Sequence, residues 1–340
     1  MARKYRDKTK TLYWSSMRAY EECPQKYLYS RGWPTIDLGR GLGKKLKVTP
    51  ETKTEHHIIL GHTIQGVVEE MYNEKWWEDP DTLVSKCETM VKKEFNKYFH
   101  EAKYIDWMKS PPRSELLATC RQGVLGFVRT MVRMRLVGVR NESEADLGGW
   151  VDENTEVRGR ADTIIHRDDI GTVILDGKNS KEYWDRKAKA PMVYTDPDQL
   201  RWYALCMFLE RGKAPDKLGF LYYRYPEGHD YKREVADYEG RSGSWAEEAA
   251  EYYRNCEPAP GVSWVDCSFE DLEGIAQRAK EALENMRAEK FDPDPSPSTC
   301  RLCDYADQCK ARQDQIAANR RTPRKKSVLG DKLGFVDLGL

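Results

Sequence analysis

No apolar run in this 340-residue chain approaches the roughly 20 residues that a bilayer-spanning helix requires. That excludes a membrane role through spanning helices. The first residues, Met1-Ala-Arg-Lys-Tyr-Arg-Asp-Lys, hold no apolar stretch, so a secretory signal is not expected. The expectation is a cytoplasmic or other intracellular protein. Excess charge of either sign is missing too: 56 Lys and Arg balance 56 Asp and Glu. This argues against simple whole-surface attraction to nucleic acid. Internal repeats and low-complexity tracts are absent as well.

What remains is a soluble, folded composition, 39% hydrophobic and 33% charged. The length suffices for a substantial core, as one large domain or two small ones. The nine cysteines are odd in number, and the chain is long, which argues against a disulfide scaffold. Cys87, Cys120, Cys206, Cys256 and Cys267 are scattered and read as small buried hydrophobes. Charge is placed unevenly. Residues 1–10, 119–141 and 310–326 are basic, and 142–156 and 237–257 are acidic. Each run taken singly is most simply a solvated face, although local basic patches can exist on a neutral molecule.

Hydrophobic periodicity predicts a helix over Ser15–Tyr29, capped by Ser15 or Ser16, and a loop over 31–58. A second helix spans Ile59–Trp77, with Ile64, Val67, Val68, Met71 and Tyr72 as its apolar stripe. Two further helices fall at 83–107 and 114–137. The pattern then changes. Glu156–His166 and Thr172–Asp176 read as strands about the turn Asp168-Asp169-Ile170-Gly171. Helices are expected at Asp198–Arg211, 244–254 and Phe269–Arg287. Leu218–Arg224 and Tyr231–Asp237 read as a hairpin about Pro226-Glu227-Gly228. Pro293, Pro295 and Pro297 impose an extended lead-in to the C-terminal cysteines.

The chemistry concentrates in a few short motifs. Asp176-Gly177-Lys178 ends the apolar run Thr172-Val173-Ile174-Leu175. Residues i and i+2 of a strand share a face, so Asp176 and Lys178 can act on one substrate. The carboxylate can hold a divalent cation and the lysine can orient water beside a phosphate. Gly177 allows close approach and can offer its carbonyl. Asp162 interrupts the preceding strand and can bring a second oxygen ligand. Oxygen ligands without histidine suit Mg²⁺ or Mn²⁺. Gln65 and Glu69 are four apart on one helix face, and both can contribute oxygens to a metal. Gln199 and Tyr203 repeat that spacing on the helix after the strands and can hydrogen-bond a phosphate or order the lysine.

The terminal cysteines form a separate set. Cys300, Cys303 and Cys309 are a close triplet, and Cys23 lies far upstream in Glu22-Cys23-Pro24. Four thiolates suit tetrahedral zinc or a [4Fe–4S] cluster, and the spacing alone leaves both open. Either would close a long loop and staple the first helix to the C-terminal segment.

These pieces carry a resemblance in their order along the chain. Gly61-x3-Gln65-x3-Glu69, Gly159-x2-Asp162, Asp176-x-Lys178 and Gln199-x3-Tyr203 resemble the RecB-like branch of the PD-(D/E)XK nuclease superfamily. Cys23-Pro24-x2-Tyr27 and the triplet resemble its iron–sulfur members, among them CRISPR-associated nucleases and the nuclease domains of helicase–nucleases. The resemblance covers residues 15–309. It implies a restriction-endonuclease-like α/β core, a mixed sheet flanked by helices. One nuclease domain would span 11–310 with a helical insertion at about 80–150, and 311–340 would form a basic tail. It implies a [4Fe–4S] cluster on Cys23, Cys300, Cys303 and Cys309. Metal-binding roles fall to Asp162, Asp176, Gly177, Glu69 and Gln65, assistance in hydrolysis to Lys178, and DNA contact to Gln199 and Tyr203. Family members often have histidine where this chain has Gln65.

The function implied is Mg²⁺- or Mn²⁺-dependent hydrolysis of DNA, by an exonuclease acting on single strands or ends. Tyr183, Trp184 and Tyr203 could stack on unpaired bases. A replication, recombination or CRISPR-related protein is the partner such nucleases would have. Two rivals follow from the same residues. One is a nuclease-like DNA-binding or assembly factor with little cleavage. The other is a zinc-stapled structural protein with an accidental Asp-x-Lys.

Overall fold

Val173, Ile174 and Leu175 are fully or almost fully buried, because the strand that carries them is covered on both faces. The computed structural model describes residues 7–36, 56–101, 111–136, 140–179, 183–192, 195–295, 300, 303, 305 and 309–314. Its centre is a six-stranded mixed sheet built from β1 (Thr11–Tyr13), β2 (Arg140–Asp152), β3 (Thr155–Arg167), β4 (Gly171–Lys178), β7 (Lys217–Tyr222) and β8 (Val262–Val265). The strand β3 pairs antiparallel with β2 along one edge. Its other edge pairs parallel with β1 and antiparallel with β4. β4 and β7 run parallel, and β8 closes the sheet antiparallel to β7. A two-stranded ribbon, β5 (Tyr183–Asp185) with β6 (Ala190–Met192), stands apart.

Side-chain alternation divides the interior into two layers. Ile164, Ile174, Leu218 and Phe220 face one cluster. There α1 (Trp14–Glu22), α2 (Pro24–Arg31), α6 (Pro197–Arg211) and α9 (Phe269–Arg287) pack on the sheet. Ile165, Val173, Leu175 and Leu221 face the other. It is covered by α3 (His56–Asn73), α4 (Pro80–Glu101) and α5 (Arg113–Arg133). The stripe Ile64, Val67, Val68, Met71 and Tyr72 is buried as its periodicity requires. A satellite of Tyr225, Tyr231, Tyr238 and Tyr253 joins α7 (Lys232–Glu239) to α8 (Ser244–Asn255).

The α/β architecture and flanking helices agree with the sequence expectation, and several elements differ. The helix expected over Ser15–Tyr29 is two helices, because Cys23 is extended (φ −169°, ψ 112°) and Pro24 opens α2. No serine caps α1; Tyr13 occupies that position and makes no side-chain cap bond. The helical stretch expected to about 150 ends at Arg133, and β2 takes up 140–152. Its alternate residues Glu142, Glu144 and Asp146 are acids and leave no apolar face to mark a strand. Tyr231–Asp237 is not a strand. Lys232–Glu239 is helical, with Glu234 and Tyr238 buried four apart. The antiparallel partner of β7 is β8 instead. Most of the basic tail expected at 311–340 lies outside the described residues. No described helix is long and apolar enough to cross a membrane.

Candidate active site

The β3–β4 register ends with Thr163 opposite Leu175, and Asp162 and Asp176 are the next residues beyond that pair. Opposed residues of an antiparallel pair share a face. Asp162 Oδ2 accepts from the Gly177 N–H at 2.9 Å, which ties the two strands at this point. Asp176 is only 2% exposed. Lys178, two residues on and on the same face, forms an ion pair with Asp176 Oδ2.

The helix α6 completes the group. Gln199 Nε2 donates to Asp176 Oδ1 at 2.9 Å and lies 3.0 Å from the Tyr203 hydroxyl. Gln199 Oε1 accepts from Lys178 Nζ at 3.0 Å. One amide therefore reads the carboxylate and the ammonium together. The helix is placed from its first turn. Asp196 caps it through the Asp198 N–H and pairs with Arg18 at 2.6 Å. Asp198 pairs with Arg201 and with Arg278, and Arg278 also holds Glu21. Further along, Trp202 Nε1 donates to Arg158 O at 2.9 Å. The close approach to β3 requires Gly159, since a Cβ there would lie 2.9 Å from the Tyr203 ring.

Gly177 has an equally tight role. A Cβ at that position would fall 1.8 Å from the Tyr223 hydroxyl. That buried hydroxyl donates to Gln65 Oε1 at 3.3 Å, and Gln65 Nε2 donates to Glu144 Oε1 at 3.0 Å. Glu144 also pairs with Arg160 at 3.3 Å and has a left-handed backbone, φ 50°. Gln65 thus stands beside the site with its amide oxygen committed to Tyr223. Glu69 is partly buried and makes no hydrogen bond or ion pair with Asp162, Asp176 or Lys178 among the described residues. The side chains of Tyr183 and Trp184 lie outside the described residues. His62, whose sequence position sets it on another face, is exposed and stacks on Tyr98.

Electrostatics follow from this burial. Desolvation pushes the Asp162 carboxyl well above its ordinary value, and the Asp176 charge adds to the shift. Desolvation also raises Asp176, opposed by Lys178. Burial raises the Tyr203 and Tyr223 phenols, and both feel Asp162 and Asp176. Asp176 Oδ2 is buried, and the Lys178 ammonium is its one partner among the described residues. Two buried carboxylates side by side, with a single lysine to offset their charge, fit a hard divalent cation, which prefers oxygen donors. Among the described residues no three His, Cys, Asp or Glu side chains are set close enough to hold a metal ion as they stand.

The cysteines are brought to one place. Cys23, Cys300, Cys303 and Cys309 line a single cavity with Tyr29 on its wall. The Asp294 N–H donates to Cys23 Sγ at 3.5 Å, and Cys309 Sγ donates to Gln25 Oε1 at 3.2 Å. None of the nine cysteines is in a disulfide. Cys87, Cys120 and Cys206 are fully buried, as small hydrophobes should be, whereas Cys256 and Cys267, expected to be buried too, are only partly so. The five arginines of 119–141 do not form one free patch. Arg121 pairs with Glu88, and Arg133 with Glu227.

The family model of the PD-(D/E)XK nuclease superfamily matches residues 14–310. The chain belongs to the PD-(D/E)XK nuclease superfamily. Membership points to nuclease activity on DNA, and members of this superfamily use divalent metals. The mixed sheet flanked by helices is consistent with a restriction-endonuclease-like fold. No curated protein matches the sequence. A solved structure, "Crystal structure of SSO0001", is similar at 13% identity and a TM-score of 0.32, covering 78% of this chain and 89% of that one.

Glu144, Asn179, Tyr223 and Arg224 surround the site and were not legible as part of it. Two signals exist in the sequence. Glu142, Glu144 and Asp146 alternate as strand residues do, and Tyr223-Arg224 directly follow the strand parallel to β4.

Proposed function

We propose that this superfamily member is a divalent-metal-dependent deoxyribonuclease of the RecB-like branch, an exonuclease acting on single strands or DNA ends. The observation that carries the proposal is the linked set Asp162, Asp176, Lys178, Gln199 and Tyr203, held by hydrogen bonds across two strands and one helix. Asp162 and Asp176 would hold Mg²⁺ or Mn²⁺, with the Gly177 carbonyl and Glu69 as further oxygens. A divalent ion so held lowers the pKa of water and neutralises charge on the phosphate. Lys178 orients the attacking water at the scissile phosphate. Gln199 fixes the lysine against Asp176, and Tyr203 fixes Gln199.

The cysteine cavity supports a [4Fe–4S] cluster on Cys23, Cys300, Cys303 and Cys309. Thiolates are the donors such clusters take, and all four line one space. Its role is structural, joining α1 and α2 to the C-terminal segment. One nuclease domain over 11–310 with a basic tail follows. A replication, recombination or CRISPR-related assembly is the setting proposed for it.

The test is anaerobic purification followed by cleavage of end-labelled single- and double-stranded DNA in Mg²⁺ and in Mn²⁺. The expected result is shortening from ends that Asp176→Ala and Lys178→Ala each reduce by 10²-fold or more, on the order of a lost general catalyst. Undiminished cleavage by a folded Asp176→Ala protein, once contaminating nuclease is excluded, overturns the proposal. DNA binding without cleavage by the unmodified chain would instead mark a binding or assembly factor.

A further inference from the structure

Beyond the carboxyl ends of β4 and β7 lies a cation that no carboxylate neutralises among the described residues. Lys178 is opposite Tyr222 in the parallel register, and the Tyr223 N–H donates to Lys178 O at 3.1 Å. The next residues, Asn179 and Arg224, therefore stand side by side past the strand ends. Arg224 Nε donates to Asn179 Oδ1 at 3.3 Å. In open sheets with parallel strands, ligands bind at the carboxyl ends of those strands.

Arg224 is half-buried and forms no ion pair with a carboxylate among the described residues. The ionisable groups that act on it are Tyr225, Arg233 and Cys120, and none is an acid of the Asp or Glu type. Burial and the neighbouring Arg233 push its pKa down. Arg233 is exposed and likewise makes no ion pair among the described residues. The acids of the adjoining segment are engaged elsewhere: Glu227 with Arg133, Asp230 with Lys232, Glu234 with His229 and Asp237 with Arg241. Asn179 Nδ2 is itself buried without a hydrogen-bond partner.

A half-buried guanidinium beside a second arginine is costly when no anion is near. Folds keep such an arrangement where an anion arrives with a ligand. Guanidinium matches phosphate geometry through paired N–H donors, which a lysine cannot reproduce. We propose that Arg224 and Arg233 bind a backbone phosphate of the DNA strand flanking the bond addressed by Lys178, with Asn179 holding the Arg224 side chain in place. This rests on the nuclease reading above and adds a contact that sets the position of the strand.

The test uses the full chain carrying Arg224→Gln, Arg233→Gln or Arg224→Lys, with a single-stranded oligonucleotide and Ca²⁺ in place of a supporting metal. Affinity is measured against salt concentration, and thermal unfolding is followed in parallel. Arg224→Gln should weaken binding roughly tenfold or more, as loss of a hydrogen bond to a charged group does. Its salt slope should become shallower by about 0.7. Arg233→Gln, on the surface, should flatten the slope similarly and serves as the variant whose folding is not in question. Arg224→Lys should keep the slope and still lose affinity. Removing an unpaired half-buried charge should leave the melting temperature unchanged or raise it, whereas a structural arginine would lower it.

Unchanged affinity and slope in both Gln variants of a chain that binds and cuts DNA would overturn this inference and leave the nuclease reading standing. A drop in melting temperature with an unchanged slope would overturn it also. If inorganic phosphate binds the unmodified chain, Arg224→Gln abolishes that binding, and DNA affinity stays intact, the site serves free phosphate and the inference fails. An unmodified chain that binds no DNA overturns both.

Discussion

Gln199 donates its amide nitrogen to Asp176 Oδ1 at 2.9 Å from a helix that opens at Pro197, well after the strand ends at Lys178. The same amide accepts from Lys178 at 3.0 Å, so the charged pair is held from one side by a neutral group. Gln199→Ala removes both bonds and leaves the lysine free to rotate. Its expected effect is a fall in kcat of roughly tenfold to a hundredfold with KM little changed, the scale of a hydrogen bond to a charged group. Gln199→Glu should be worse, because a third carboxylate would compete for Lys178 and repel Asp176. Single-turnover cleavage by the two variants decides this. Equal rates in both and in the unmodified chain would remove the positioning role.

Gly177 and Tyr223 form the tightest contact at the site. A methyl group at 177 would sit 1.8 Å from the Tyr223 hydroxyl and 2.4 Å from its ring carbon. Tyr223 is 4% exposed and has little room to retreat. Gly177→Ala should destabilise the fold by about 1–3 kcal/mol, the usual cost of overpacking. Adding Tyr223→Ala should restore part of that loss at this position, giving a non-additive pair. Urea denaturation of the two single variants and the double variant measures the coupling. Strict additivity would mean that the two residues do not collide.

The reach of sequence reasoning can be seen at these same residues. Asp176 and Lys178 were legible because period-2 geometry forces them onto one face. Gln199 and Tyr203 were legible because helical spacing does the same. The stripe on α3 and the two-sided burial of β4 followed from hydrophobic pattern. Glu144 was not legible. Its left-handed backbone and its bond to Gln65 depend on a helix some eighty residues away. Tyr231–Asp237 could be read with period 2 or 3.6, and the helix goes with tertiary contacts such as the stacking of Tyr238 on Tyr253 (rings 5.6 Å apart). β2 was hidden because its acids are satisfied by partners distant in sequence, Arg160 and Arg211.

One of those acids should mark the stability of the sheet in acid. Glu142 accepts from Arg211 at 2.9 and 2.8 Å and lies 2.9 Å from His166 Nε2. The Arg211 hydrogen bonds, aided by His166 and opposed by burial, pull its pKa down from 4.5 to about 2. The folded value lies below the unfolded one, so the unfolded chain binds the extra proton between them. The contribution of Glu142 is therefore complete above the unfolded value of 4.5 and is lost as pH falls towards about 2. Glu142→Gln should be less stable than the unmodified protein near neutrality. The gap should narrow steadily through that window. Denaturation curves at a series of pH values test it, and a gap that stays constant down to about pH 2 would place the stabilisation elsewhere.

Cys23 provides the last prediction, because it lies between two helices and far from its proposed co-ligands in sequence. It is buried, the Asp294 N–H points at its sulfur, and it shares a cavity with Cys300, Cys303 and Cys309. The surroundings already hold the ends together without metal: Tyr20 donates to Lys290 O at 2.7 Å, and Tyr27 stacks on Phe291. Cys23→Ser should therefore lose the cluster without unfolding the sheet. Anaerobically purified protein should be brown and hold about four irons per chain, and Cys23→Ser should be colourless. The melting temperature should fall, since a ligand-bound fold loses its linkage stabilisation. Cys87→Ser should keep its iron, because Cys87 is buried in the opposite core layer and is not among the residues lining that cavity. One zinc and no iron in the unmodified chain would replace the cluster with a zinc staple. Iron retained in Cys23→Ser would remove Cys23 from the ligand set.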